Sequence, residues 1–152
     1  MLLLANLSLA GLLVAITCVV QFSGLVGLSW VLRRRFMRAP DEIIGIASQG
    51  VTIVLIVMGL FMLHAVQIWI YAVVYILLGQ LGTVEAALYF SATTFTTVGY
   101  GDVILNPDWR MLAAAESANG FLLLGWSTAF LVSVTTRVRV FEAEVERLSE
   151  DD

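Results

Sequence analysis

The chain has 152 residues, 60% hydrophobic and 13% charged, with a net charge of −4 and a mean hydropathy of +0.94. Soluble domains run about 45–50% apolar and about 25% charged, so this surface cannot face water all round, and a soluble enzyme is excluded. The length holds one compact unit of three or four membrane crossings at about 20 residues each, and a single cysteine, Cys18, leaves no disulfide framework or thiolate metal site.

The first apolar stretch runs from about Leu2 to Leu32. It lacks a basic start and is about twice as long as a cleavable signal core, so it reads as a retained membrane helix. Its polar residues Asn6, Ser8, Gln21, Ser23 and Ser29, with Gly24 and Gly27, suit one face to protein rather than lipid. Arg33, Arg34, Arg35 and Arg38 follow directly. Arginine excess marks the cytoplasmic side, which puts the N-terminus outside. Three consecutive arginines at a span's end lack the helical spacing of a voltage sensor, and they mark topology or contact anionic lipid.

Pro40 ends this helix and Asp41 can cap the next, over about residues 43–81. The stretch Ile43 to Gly50 either lies along the inner interface or extends the second helix below the bilayer. The third apolar stretch runs from about Met111 to Val134, within an inner helix expected over about residues 109–136. Arg137, Arg139 and Arg147 follow it and set the C-terminus in the cytoplasm. The segment between the second and third spans then lies outside.

That segment, Gly82 to Asp108, is too short and polar to cross, yet it holds a helix-length apolar piece. It reads as a re-entrant loop. Thr83 is a cap and Glu85 puts a negative charge in the first turn of a helix over residues 84–95. Thr96-Thr97-Val98-Gly99-Tyr100-Gly101-Asp102 comes next. Non-helical backbone at membrane depth is tolerated only when buried in protein or lining a watery path, which makes a conduction path the natural reading.

These residues resemble the selectivity filter of the potassium-channel pore family, whose TVGYG signature matches Thr97 to Gly101. The resemblance covers about Val51 to Thr136 and leaves the first helix as a departure from the two-span channel. It implies an all-α membrane protein with three transmembrane helices, a re-entrant pore helix and filter, assembled as a homotetramer around a four-fold axis. Thr97, Val98, Gly99 and Tyr100 would bind K⁺ through backbone carbonyls and the Thr97 hydroxyl. Gly99 and Gly101 would supply the unusual dihedrals, and Tyr100 would pack against the pore helix as a cuff. Thr96 and Gly101 flank the ion-binding residues as filter support. Asp102 would face Tyr89 and Thr93, where Thr93 replaces a glutamate of some relatives and removes a carboxyl pair. K⁺ is the permeant ion. No other cofactor and no nucleic acid are implied, and the partners are three further copies and membrane lipid.

Within the spans, His64, Gln67, Glu116 and Asn119 stand out because ionisable or polar groups in lipid are costly. Counted along the helix, Glu116 lies level with the pore helix, where it either braces Thr93 or Thr94 or titrates as a control of the filter. His64 is either a neutral bonded imidazole or a proton sensor. Asn119 either bonds Gln67 or lines the cavity. Gly120 and Gly125 sit on the inner helix, where a glycine either bends to open a gate or permits close packing. Trp109, after Pro107 and Asp108, fits an interfacial anchor.

Val138, Phe141, Val145 and Leu148 make a short heptad stripe in an acidic tail, either a four-chain bundle or a solvated helix. The expected organisation is a first helix over residues 1–38, a pore module over 39–136 and a cytoplasmic helix over 137–152. No room is left for a nucleotide- or calcium-binding domain, so gating would come from pH, lipid, tension or the filter itself, unless the pore leaks constitutively. Two rival readings are a non-selective cation channel and a silent subunit that regulates another channel.

Overall fold

The computed structural model describes the backbone of residues 2–37 and 46–150 and the side chains of residues 3–34 and 50–136. The described residues are all-α, as expected. Three long apolar helices suited to crossing a membrane are α1 (Leu2–Met37), α2 (Ile46–Leu77) and α4 (Arg110–Glu150), with the short α3 (Val84–Phe95) between the last two. A single 3₁₀ turn, Pro107–Trp109, leads into α4. Pro40 and Asp41 lie outside the described residues.

Two boundaries differ from the sequence expectation. The second helix stops at Leu77 rather than near Leu81, because Gly79 adopts φ +65°. The Gly79 N–H then reaches the Ile76 carbonyl (2.9 Å) and the Gln80 N–H the Tyr75 carbonyl (3.0 Å). This paired closure satisfies carbonyls that the helix end would otherwise orphan, and glycine adopts the left-handed dihedral without a Cβ penalty. The inner helix and the acidic tail form one unbroken helix, α4, instead of two elements. The side chains of Val138, Phe141, Val145 and Leu148 lie outside the described residues.

Helices α1, α2 and α4 pack together, and α3 lodges between α2 and α4. The core has two storeys. One gathers Ala10, Leu13, Tyr71, Tyr75, Phe90, Leu105 and Leu112 around the base of α3. The other gathers Leu25, Ile56, Leu60 and Val134. Between α1 and α2 the backbones approach closely, since a Cβ on Gly24 would strike Leu63 and one on Gly59 would strike Leu28. Small residues are the usual device for such contact in lipid, where burial of apolar surface supplies no drive between helices. The opposite faces carry exposed Leu, Val, Phe and Trp side chains, as a bilayer requires.

Candidate ion pathway

Helix α3 begins where Thr83 Oγ1 accepts the Ala86 N–H (3.2 Å), with Glu85 in its first turn favoured by the helix dipole. It is fixed by Phe90, which meets Tyr75 edge-to-face at 5.2 Å, and by fully buried Phe95. Beyond Phe95 the chain leaves the helix but stays tied to it. Thr97 N–H donates to the Thr94 carbonyl and Gly99 N–H to the Thr93 carbonyl, each at 3.0 Å.

From Thr97 onward every second residue has positive φ: Thr97 (64°), Gly99 (51°) and Gly101 (79°). Thr97 is the only non-glycine in that region among the described residues. A β-branched residue held there costs on the order of 1–3 kcal/mol, a strain typical of functional backbone. Such alternation of hand lets successive carbonyls face one side. The side chains of Val98 (52% exposed) and Tyr100 (73% exposed) stand clear of their own chain.

At the far end of this strand, Tyr89 Oη donates to Asp102 Oδ2 at 2.8 Å. That bond raises the Tyr89 phenol above its ordinary pKa, because ionising it would forfeit the donor. Thr93 does not join this pair. Its hydroxyl donates to the Phe90 carbonyl (3.0 Å) on its own helix.

Of the polar residues singled out within the last two spans, Gln67, Glu116 and Asn119 are buried and His64 is half-buried. Glu116 reaches neither Thr93 nor Thr94; its two oxygens contact Tyr75 Oη and Ser91 Oγ, each at 2.5 Å. Asn119 is only 4% exposed and forms no hydrogen bond with Gln67. Its amide donates to Thr17 Oγ1 (2.7 Å) and Tyr71 Oη (3.1 Å). His64 belongs to a closed four-member ring across three helices. His64 Nδ1 lies 2.9 Å from Gln67 Oε1, and Gln67 Nε2 donates to Gln21 Oε1 (2.9 Å). Gln21 Nε2 donates to Ser127 Oγ (2.8 Å), which returns to His64 Nε2 at 2.9 Å. One face of the His64 ring also meets Phe95 at 5.8 Å.

Gly120 is buried against the end of α3, where a Cβ would run into the Phe95 carbonyl oxygen. Its hydrogen-only side chain permits close packing, and α4 passes through it as continuous helix. Gly125 has open space around it. Ser91, Tyr75, Tyr71, Thr17 and Ser127 were not singled out from sequence, although Tyr71 and Tyr75 continue the spacing of His64 and Gln67 along one face of α2.

Residues 62–137, half of the chain, match the Ion_trans_2 family, described as ion channel. The chain belongs to that family of ion channels, which are multi-pass membrane proteins and not enzymes. No curated protein and no solved structure matches the chain significantly.

Proposed function

We propose that this ion channel is selective for K⁺ and works as a homotetramer, with Thr97, Val98, Gly99 and Tyr100 of each copy forming stacked rings of oxygen around a shared axis. The observation that carries the reading is the left-handed backbone at every second residue of Thr97 to Gly101, placed at the end of a re-entrant helix. A dehydrating K⁺ loses water oxygens that carbonyl rings replace, so a strand whose carbonyls face one way meets the ion's need without charged side chains. The exposed flanks of Val98 and Tyr100 support assembly, since four strands around an axis would bury them. Thr96, Gly101, Asp102, Tyr89 and Thr93 act as the mount, and the C-terminal end of α3 favours a cation beneath it.

The arginine distribution supports a cytoplasmic C-terminus and an external N-terminus. Arg34 stacks over Trp30 at 3.6 Å, an arrangement suited to the headgroup region of membrane lipid. Residues 1–38 then add a membrane helix to a pore module at 39–136, with 137–152 in the cytoplasm. The test is K⁺-against-Na⁺ flux in proteoliposomes with barium as blocker. Barium-sensitive K⁺ flux is expected; equal flux of both ions would replace selectivity with a general cation pore, and no flux in protein shown to be tetrameric would favour a silent subunit.

A further inference from the structure

Glu116 is the only acidic side chain among the buried residues described, and its surroundings define where its hydrogens lie. Ser91 Oγ stands 2.9 Å from the Ile68 carbonyl oxygen and 2.5 Å from Glu116 Oε1. A serine has one hydrogen, and a carbonyl can only accept. If the Ser91 hydrogen goes to Ile68, the contact with Glu116 is completed only by a hydrogen on the carboxyl group. Tyr75 then donates to Oε2 at 2.5 Å, and each hydrogen is used once. An ionised carboxylate would leave two oxygens in contact with no hydrogen between them, besides placing a bare charge in lipid. Its hydrogen-bond partners are the neutral Ser91 and Tyr75; the other titratable groups on the packed elements are Tyr71 on α2, Glu85 and Tyr89 on α3 and Cys18 on α1, while the cations Arg33 and Arg34 sit fifteen or more residues beyond Cys18 on α1 and Arg110 six residues before Glu116 on α4. His64 on α2 lies in the separate ring with Ser127, eleven residues further along α4.

The mechanical route from this group to the filter is short. Glu116 on α4 grips Ser91 on α3, and one turn later Gly120 abuts the Phe95 carbonyl. The carbonyl of Thr93, between those two grips, receives the N–H of Gly99. We propose that Glu116, as a neutral carboxylic acid, is a positioning residue for ion selection: it fastens α3 to α2 and α4 and so fixes the height and tilt of the Gly99 strand. This rests on the K⁺-filter reading, and it names a residue on the inner helix that touches no ion.

Glutamine matches the neutral acid in shape, accepting from Tyr75 with its oxygen and donating to Ser91 with its nitrogen, whereas alanine leaves both hydroxyls facing a hole. The experiment compares wild type, Glu116→Gln and Glu116→Ala in proteoliposomes, from neutral to alkaline pH, reading the K⁺/Na⁺ flux ratio together with the infrared band of a protonated carboxyl group. At neutral pH, Glu116→Gln is expected within about twofold of wild type, and Glu116→Ala is expected to lose about tenfold in selectivity or to fail to assemble. Wild type should lose selectivity as alkali ionises the carboxyl, while Glu116→Gln stays flat. The carboxyl band should be present at neutral pH and absent from Glu116→Gln. Glutamine as damaging as alanine, a pH profile shared by wild type and Glu116→Gln, or no protonated band would each overturn the proposal. Wild-type flux that never favours K⁺ would overturn the filter reading itself, and the infrared band would still report the carboxyl independently.

Discussion

Gly120 packs against the carbonyl oxygen of Phe95, where a Cβ would collide with it, so α4 touches α3 at that helix's last residue. Any Cβ at position 120 meets backbone, which cannot swing aside as a flexible side chain would. Gly120→Ala is expected to destabilise the fold by about 1–3 kcal/mol and to lower tetramer yield in thermal denaturation assays. Gly125→Ala, with open space around it, is expected to change stability by less than about 0.5 kcal/mol. The reverse ranking would return Gly120 to the role of a simple bending point.

Gly99→Ala places a Cβ on a residue with φ 51°. The left-handed region costs an ordinary residue about 1–2 kcal/mol, and the proposed tetramer would carry that cost in each copy. The strand should relax toward negative φ and turn its carbonyl away. Tetramers should persist on native gels while K⁺-selective flux is lost; selective current unchanged by the substitution would sink the filter assignment.

The Tyr89–Asp102 bond ties the end of the Thr97–Asp102 strand to α3 across thirteen residues of chain. Tyr89→Phe removes the donor and keeps the ring. Several-fold faster decay of K⁺ current, with assembly unaltered, is the expected result in planar bilayers. Because the bond raises the phenol's pKa, the contact should survive alkaline conditions that ionise a free tyrosine, and should be lost only once the pH passes that raised value.

The His64–Gln67–Gln21–Ser127 ring joins α1, α2 and α4. Gln21→Leu leaves Ser127 and Gln67 short of a partner and should cost about 1–3 kcal/mol. Ser127→Ala breaks the same ring, so the double variant should be less damaging than the summed singles by at least about 0.5 kcal/mol. Simple additivity in a denaturation series would show that the ring does not act as a unit.

Much of this architecture is legible in the sequence because lipid imposes simple rules. Three apolar stretches became three helices, and Thr83 with Glu85 announced the start of α3. Part of the polar stripes is legible too, in His64 and Gln67 on α2 and Glu116 and Asn119 on α4, whereas Tyr71, Tyr75 and Ser127 extend them at helical spacing without standing out in the sequence. What spacing cannot supply is the rotation of one helix against another. Glu116 was placed at the correct depth but paired with Thr93 or Thr94, whereas the twist of α3 offers it Ser91. Asn119 was matched to Gln67 on depth alone, yet α1 intervenes with Thr17. The end of α2 was set four residues late because apolar residues continue past the closure at Gly79.

Helix α1 lies wholly before the segment that matches the ion-channel family, and yet Thr17 and Gln21 answer hydrogen-bonding needs of Asn119, Gln67 and Ser127 inside it. Stripped of α1, those groups would confront hydrocarbon, at several kcal/mol for each one left unsatisfied. Kinship and cohesion therefore have different borders in this chain. Ancestry is inscribed from the middle of the second crossing onward, but the hydrogen-bonded body includes all three.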